Sequence, residues 1–125
     1  MAKRILVVED NPLNLRLFCD LIEAHGHECC PLRDGREAFA KACEYRPHII
    51  VTDIQLPYVS GFDLIQQFRG EPMLANVPIM AVTAYAAPGD EERIKSAGAN
   101  VYVSKPISVM KFMAVVNDLL ALAEE

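Results

Sequence analysis

Five polar residues with chemically useful side chains follow short apolar segments of this sequence. They are two adjacent acids, an isolated aspartate, a threonine and a lysine: Glu9, Asp10, Asp53, Thr83 and Lys105. Carboxylates that are held close together repel each other, which costs stability unless a cation uses them. Oxygen ligands from one or two carboxylates, completed by water and phosphate oxygens, are typical of Mg²⁺ sites. The pattern therefore indicates a divalent-cation site at which phosphate chemistry can occur.

One carboxylate of this set can act as a nucleophile toward phosphorus. An aspartate beside Mg²⁺ can attack a phosphoryl group and form an acyl phosphate. The hydroxyl of Thr83 could then donate to one phosphoryl oxygen, and the ammonium of Lys105 could pair with another. Taken singly, each of these residue types is more often a helix cap or loop residue, so the hypothesis depends on all of them lying together.

The spacing of the apolar residues predicts the elements that would bring these side chains together. Continuous apolar runs, which are typical of strands buried on both faces, precede Glu9, Asp53 and Thr83. Strands are predicted over 5–8, 28–32, 48–53, 78–83 and 101–103. Periodic patterns with caps and glycine or proline stops predict helices over 12–26, 36–45, 62–70, 88–98 and 107–123.

The alternation of strands and helices predicts an α/β fold with a parallel sheet that is covered on both faces. The sequence contains no linker, repeat or low-complexity tract, so we expect residues 1–125 to form a single domain with a core of about 3–123 and no output domain. Ligands of such sheets bind at the C-terminal ends of the strands, near the point where the strand order reverses. The polar residues above all lie at those ends.

Composition and charge exclude several other classes of protein. Hydrophobic residues make up 52% of the chain and charged residues 23%, which excludes a disordered chain. The net charge of −5 and the lack of a basic cluster argue against nucleic-acid binding. No apolar run approaches the ~20 residues of a membrane span, and the N-terminal run is too short for a signal peptide. We therefore expect a cytoplasmic protein without membrane insertion.

The cysteines indicate free thiols rather than a disulfide framework or a metal site. They form no CxxC pair, and Cys29 and Cys30 are neighbours on a predicted strand, so that their side chains point to opposite faces. We expect all of them to be small buried hydrophobic residues: Cys19, Cys29, Cys30 and Cys43.

The motifs resemble the receiver domains of two-component response regulators, the CheY-like superfamily. The matching segments occur in the family's order: Glu9-Asp10, Asp53-x-x-x-Pro57 with Gly61 four residues later, Thr83-Ala84, and Lys105-Pro106. The resemblance extends from Lys3 to about Ala123. It implies a flavodoxin-like, doubly wound (βα)5 fold whose five-stranded parallel sheet has the strand order 2-1-3-4-5.

The resemblance also implies how the phosphoryl group is received. Asp53 resembles the phosphoacceptor. Asp10 and Glu9 resemble the acidic pair that holds Mg²⁺, Asp10 directly and Glu9 through water, and Mn²⁺ can substitute. The backbone carbonyl of Gln55 matches a further metal ligand, so the implied metal site comprises Glu9, Asp10, Asp53 and Gln55.

Further roles follow from the same resemblance. Thr83 and Lys105 match the hydroxyl and the lysine that contact the phosphoryl group, and Thr83 with Tyr102 matches the pair that couples phosphorylation to a surface change. Gln55 and Tyr85 are expected to tune the lifetime of the phosphorylated form. The resemblance also implies a cis peptide bond between Lys105 and Pro106.

A narrower resemblance is to the DivK-type regulators, which are stand-alone receivers that act on histidine kinases in bacterial cell-cycle and cell-fate circuits. Four segments carry it: 8–14, 53–57, 89–94 and 104–108. It implies a monomer or weak dimer that accepts a phosphoryl group from a histidine kinase or histidine phosphotransferase. The output would be a changed affinity for partner proteins, and the protein would not be a turnover enzyme.

Three other kinds of protein share parts of this pattern. Phosphatases with an Asp nucleophile use a second Asp two residues later as general acid, and this position is Gln55, which cannot donate a proton in that way. A flavin site needs backbone donors in the first loop, where this chain has Asp10-Asn11-Pro12. An interaction module that works without phosphorylation remains the third alternative.

Overall fold

The computed structural model describes residues 2–84 and 88–123, and in them strands and helices alternate along the chain. The strands are β1 Arg4–Val8, β2 Glu28–Leu32, β3 Ile49–Asp53, β4 Ile79–Thr83 and β5 Val101–Ser104. The helices are α1 Pro12–Ala24, α2 Ala38–Tyr45, α3 Gly61–Gly70, α4 Asp90–Ala97 and α5 Val109–Ala123. Each element lies within about two residues of its predicted bounds, and a short 3-10 turn, Gly35–Glu37, takes the place of the expected first turn of α2.

The sheet is parallel throughout and has the order β2-β1-β3-β4-β5, which confirms the predicted fold class. The chain moves from β1 outward to β2 and then crosses back to β3, so the strand order reverses between β1 and β3. Val8 pairs with Thr52 across this junction. The residues that follow them, Glu9 and Asp53, therefore lie at the same height at the reversal point, where α/β sheets bind their ligands.

Two apolar layers explain why the central strands are continuously apolar. Ile5 and Val7 face the layer under α1 and α5, where the rings of Phe18 and Phe112 stack 4.6 Å apart. Leu6 and Val8 face the other layer, under α2, α3 and α4. Successive side chains of a strand point to opposite faces, so a strand with helices on both sides needs apolar residues at every position.

Asn11 sets the start of α1 next to the strand end. Its side-chain oxygen accepts hydrogen bonds from the backbone N–H groups of Leu13 and Asn14, at 3.0 and 3.1 Å. Pro12 is the first helical residue, a position at which proline loses no hydrogen bond. The N-cap predicted from the sequence is thus present, and it fixes the direction in which the chain leaves Glu9 and Asp10.

The prediction of free thiols was wrong for one pair of cysteines. Cys19 on α1 and Cys29 on β2 form a disulfide, with their Cα atoms 5.5 Å apart, while Cys30 and Cys43 are free. Cys29 and Cys30 do point to opposite faces of the sheet, but this excludes a bond only between these two neighbours. The pairing arises because α1 packs on β2 with Cys19 on its buried face, opposite the side chain of Cys29.

None of the helices in the described ranges combines the length and the apolar character that crossing a bilayer requires. The longest of them, α5, has 15 residues.

Candidate functional site

Three carboxylates meet at the C-terminal edge of the sheet. One ligand oxygen from each of Glu9, Asp10 and Asp53 lies within 4.8 Å of the others. Glu9 and Asp53 are only 1% and 3% exposed, and Asp10 is half-buried. The parallel pairing of β1 with β3 causes this convergence, since both strands end at the same edge.

Lys105 directly follows β5, the edge strand of the sheet, and its side chain extends to this cluster. Its ammonium nitrogen Nζ lies 2.8 Å from Asp53 Oδ2 and 2.7 Å from Glu9 Oε1. The peptide bond between Lys105 and Pro106 is cis, as the family resemblance implied. The backbone N–H of Lys105 donates to the carbonyl of Thr83 at 2.7 Å, which anchors the end of β5 beside β4.

The two oxygens of the buried Glu9 carboxyl differ in their hydrogen bonding. Its Oε2 accepts a hydrogen bond from the backbone N–H of Asn11 at 3.1 Å. Its Oε1 is close to Lys105 Nζ, but the angle is not that of a hydrogen bond, and this buried oxygen has no hydrogen-bond donor among the described residues. When Glu9 is deprotonated, this oxygen is suited to a cation, because it then carries charge and has an open lone pair.

Burial shapes the protonation of this cluster. Burial raises the pKa of Glu9 from 4.5 to about 7, partly opposed by the interaction with the Lys105 ammonium and reinforced by the neighbouring Asp53 carboxylate. For Lys105, burial lowers the pKa, but its interactions with Asp53 and Glu9 outweigh this and leave the pKa raised. Lys105 therefore carries its positive charge at neutral pH.

Asp53 is held rigidly by its own loop. Its Oδ1 accepts a hydrogen bond from the backbone N–H of Gln55 at 3.0 Å. Gly61, the first residue of α3, donates its backbone N–H to the carbonyl of Ile54 at 3.0 Å. A Cβ at residue 61 would collide with the backbone carbonyl oxygen of Asp53 and lie 2.6 Å from Ile54 Cα. Gly61 is therefore required, because only a residue without a Cβ allows α3 to begin this close to Asp53.

Thr83 ends β4 beside the cluster and contacts Gln55. Asp53 pairs with Val82, so buried Thr83 lies one residue beyond the level of Asp53 on the adjacent strand. The side-chain nitrogen Nε2 of Gln55 donates to Thr83 Oγ1 at 2.7 Å, and its Oε1 accepts from the backbone N–H of Ala84 at 2.9 Å. Gln55 thus connects the loop after β3 to the end of β4.

Tyr102 lies on the same face of the sheet as Thr83. It pairs with Ala81, two residues before Thr83, and its half-buried side chain packs against the apolar layer that contains α3 and α4. Thr83 and Tyr102 therefore lie on the same side of the sheet, on adjacent strands. Tyr85, which is also expected to tune the lifetime of the phosphorylated form, lies outside the described residues.

Among the contacts of the site that were not predicted from the sequence, two differ in whether a local pattern hints at them. The first is the bridge made by the Gln55 side chain, and the second is the hydrogen bond from the Asn11 backbone to Glu9. A hint of the second was available, because a helix that starts three residues after an acid brings backbone N–H groups toward it. The first depends on how two loops far apart in sequence face each other, for which no local pattern exists.

Comparison with known proteins agrees with this geometry. Residues 5–117 match the family model of the response regulator receiver domain. The chain is 48% identical over 120 residues to the polar-differentiation response regulator DivK of Brucella anthropi, covering 96% of this chain and 98% of the relative. The corresponding regulator of Brucella melitensis is 47% identical over the same length, with the same coverage.

Solved structures with the same fold include two receivers. A receiver domain of a sensor histidine kinase from Pseudomonas aeruginosa, with a magnesium ion coordinated in its active site cleft, has a TM-score of 0.88 and 30% identity, covering 97% of this chain and 99% of that one. The chemotaxis response regulator CheY4 of Vibrio cholerae has a TM-score of 0.90 at 24% identity, covering 95% and 99%, and supports the fold alone. Family model, DivK relatives and site geometry agree: this chain belongs to the response regulator receiver family and is a DivK-like protein of two-component phosphorylation signalling.

Proposed function

We propose that this chain, acting as one receiver domain over residues 1–125, accepts a phosphoryl group on Asp53 and thereby changes its affinity for partner proteins. The observation that carries the proposal is the setting of Asp53. Its buried carboxylate lies against two further carboxylates and is paired with the ammonium of Lys105. This arrangement provides a nucleophile, a place for a divalent cation and a counter-charge within one small volume.

The residues at the sheet edge fit Mg²⁺, and Mn²⁺ could replace it. Mg²⁺ prefers oxygen ligands and retains several waters, and the cluster offers carboxylate oxygens from Glu9, Asp10 and Asp53. The family resemblance adds the backbone carbonyl of Gln55 as a further ligand. The buried Oε1 of Glu9, which no hydrogen bond satisfies within the described chain, favours a cation at this place. A bound Mg²⁺ would supply positive charge to neutralise phosphoryl oxygens during transfer.

The proposed transfer is a displacement at phosphorus. A carboxylate oxygen of Asp53 forms a bond to the phosphorus of a phosphohistidine, the P–N bond breaks, and its electron pair stays on the imidazole, which then takes up a proton. Lys105 is already 2.8 Å from Asp53 Oδ2 and can follow the charge onto the phosphoryl oxygens. Thr83 supplies a hydroxyl at the end of the adjacent strand.

The donor protein must cover the sheet edge, because its imidazole has to come within bonding distance of Asp53. The surface beside Lys105 suits such a partner. Leu13 on α1 is 79% exposed and Met110 on α5 is 85% exposed, although both side chains are apolar. A cleft of about 440 Å³ lies beside Lys105, and its lining also includes Leu17 and Ile107. We propose that a histidine kinase of a cell-cycle circuit, or a histidine phosphotransferase, docks on this face.

The structure of the loop after Asp53 supports a switch rather than a turnover enzyme. Gln55 occupies the position where an aspartate phosphatase has its general acid, and its amide is engaged by Thr83 and Ala84. An amide cannot deliver the proton that a leaving alcohol needs. We therefore propose a signalling domain, monomeric or weakly dimeric, in which Thr83 and Tyr102 couple phosphorylation to the surface formed by α4, β5 and α5.

The test is to incubate the protein with Mg²⁺ and a small acyl phosphate or phosphoramidate and to measure the intact mass. We expect the gain of a single phosphoryl group, its loss in Asp53→Asn, and its retention in Asp63→Asn, which alters an exposed aspartate on α3. Omitting Mg²⁺ should slow the reaction strongly. Undiminished labelling of Asp53→Asn would contradict the proposal, and continuous release of phosphate from a simple ester would favour the phosphatase alternative.

A further inference from the structure

The side-chain amide of Gln55 is hydrogen-bonded to two groups at the end of β4, next to the proposed phosphoryl site. Its Nε2 donates to Thr83 Oγ1 at 2.7 Å, and its Oε1 accepts from the Ala84 N–H at 2.9 Å. The orientation of the amide is not arbitrary. A backbone N–H can only donate, so the side-chain oxygen, and not the nitrogen, must face Ala84.

The same residue also touches the nucleophile. The backbone N–H of Gln55 donates to Asp53 Oδ1 at 3.0 Å. Gln55 therefore contacts Asp53 with its main chain and the end of β4 with its side chain. Through these contacts one residue links the carboxylate that would receive the phosphoryl group to the end of β4.

A phosphoryl group on Asp53 would bring three strong acceptor oxygens next to these contacts of Gln55. The donors near it are the Lys105 ammonium, the Thr83 hydroxyl and the Ala84 N–H. A backbone N–H carries one hydrogen, and that of Ala84 is given to Gln55 Oε1. A phosphoryl oxygen can take this hydrogen only if the Gln55 amide releases it.

We propose that the Gln55 side chain is an internal competitor of the phosphoryl group: it holds Ala84 and Thr83 in the unphosphorylated arrangement and must be displaced when Asp53 is phosphorylated. This inference rests on the proposed function and adds that the Gln55 side chain opposes the phosphoryl-bound arrangement. Gln55 is a positioning residue in this scheme, because it acts through Thr83 and Ala84. Its presence lowers the fraction of the protein that adopts the phosphoryl-binding arrangement.

The competition predicts an effect opposite in sign to that of an ordinary structural residue. Gln55→Met keeps the length of the side chain and removes both hydrogen bonds. If Gln55 merely supported the site, this variant would bind a phosphoryl group more weakly. If Gln55 competes with it, binding becomes tighter, by roughly three- to tenfold, the range expected for the net loss of one hydrogen bond.

The experiment measures the affinity for fluoroberyllate, a non-covalent phosphoryl mimic, in the presence of Mg²⁺. Wild type, Gln55→Met and the control Gln66→Met are compared, the last altering an exposed glutamine of α3. We expect tighter binding only in Gln55→Met. Equal or weaker binding in that variant would overturn the proposal.

Hydrogen exchange at the Ala84 amide, measured without Mg²⁺ or fluoroberyllate, gives a second readout that does not depend on phosphorylation. We expect faster exchange in Gln55→Met than in wild type or Gln66→Met, and unchanged exchange would overturn the competition. Failure of all three proteins to bind fluoroberyllate would overturn the proposed function, and the competition with it. The exchange result would still show whether the bridge itself exists, so the two failures can be told apart.

Discussion

Lys105 Nζ lies 2.8 Å from Asp53 Oδ2, although 52 residues separate the two along the chain. The same nitrogen is 2.7 Å from Glu9 Oε1, so one ammonium lies between two buried carboxylates. The repulsion expected from the acidic cluster is therefore offset for Glu9 and Asp53. Asp10 makes no hydrogen bond or ion pair within the described part of the chain.

Removal of this ammonium should destabilise the metal-free protein. In Lys105→Met the carboxylates of Glu9 and Asp53 lose their counter-charge, and we expect the free energy of unfolding to fall by about 1–3 kcal/mol. Mg²⁺ should recover more stability in this variant than in wild type, because it would no longer compete with the ammonium. Urea unfolding with EDTA and with Mg²⁺ measures both effects, and Lys111→Met, an exposed change on α5, is the control. Equal Mg²⁺ responses would argue against a shared place for the two cations.

The raised pKa of Glu9 predicts a pH dependence of stability without metal. Because the pKa of about 7 in the folded state exceeds the unfolded value of 4.5, the folded protein binds more protons between these pH values. The free energy of unfolding therefore falls as the pH rises through this window, by about 3 kcal/mol from this group.

The pH effect of Glu9 is isolated by comparing wild type with Glu9→Gln in EDTA. Burial lowers the pKa of His27 and His48, so their contributions rise with pH in an overlapping window. Both histidines are present in both proteins, and subtraction removes them. We expect the stability advantage of Glu9→Gln to grow between pH 5 and pH 7, within the window given by the Glu9 pKa. A difference that stays constant with pH would contradict the assignment.

Gly61 should be intolerant of a side chain, in contrast to Gly70 at the other end of α3. A Cβ at position 61 would collide with the Asp53 carbonyl, whereas one at position 70 would meet nothing within 4 Å. We expect Gly61→Ala to lower the free energy of unfolding by about 1–3 kcal/mol and to slow phosphorylation. Gly70→Ala should be neutral or slightly stabilising, since alanine favours helix. Similar thermal melts for the two variants would show that α3 can move to accommodate a Cβ at position 61, and would contradict this prediction.

Substitution of Thr83 or Tyr102 should leave phosphorylation of Asp53 intact but weaken the structural change that follows it. We expect Thr83→Ala and Tyr102→Ala to gain a phosphoryl group at Asp53 but to show smaller shifts of α4 and β5 amide resonances on binding fluoroberyllate. Ser104→Ala is the control, because Ser104 pairs with Thr83 in the sheet but is exposed. Full-sized shifts in both variants would assign the switch to another element.

The disulfide between Cys19 and Cys29 should be visible in thiol counts. Without reductant we expect alkylation of Cys30 and Cys43 in the unfolded protein, and of all four cysteines after reduction. A bridge across a separation of 10 residues is expected to contribute about 2–3 kcal/mol to the free energy of unfolding. Reduction should lower the stability of wild type and leave that of Cys19→Ser unchanged. Four reactive thiols before reduction would show that the pair remains reduced in solution.

Local patterns were sufficient to predict the elements and their order. The apolar runs before Glu9, Asp53 and Thr83 identify strands buried on both faces, and Asn11-Pro12 identifies the start of α1. These signals work because burial and capping act on residues that are close in sequence. The strand order and the role of each site residue came instead from resemblance to a family, which supplies long-range information.

The sequence by itself determined which chemical groups stand at the strand ends, and hence that carboxylates, a hydroxyl and an ammonium share one edge. Only the tertiary structure decided how these groups pair: Lys105 with Asp53 and Glu9, Gln55 with Thr83 and Ala84, and Cys19 with Cys29. Each pairing joins elements whose distance depends on the packing of the whole sheet and its helices. Side-chain contacts of this kind change with shifts of an ångström or two, and no pattern of neighbouring residues specifies packing to that precision.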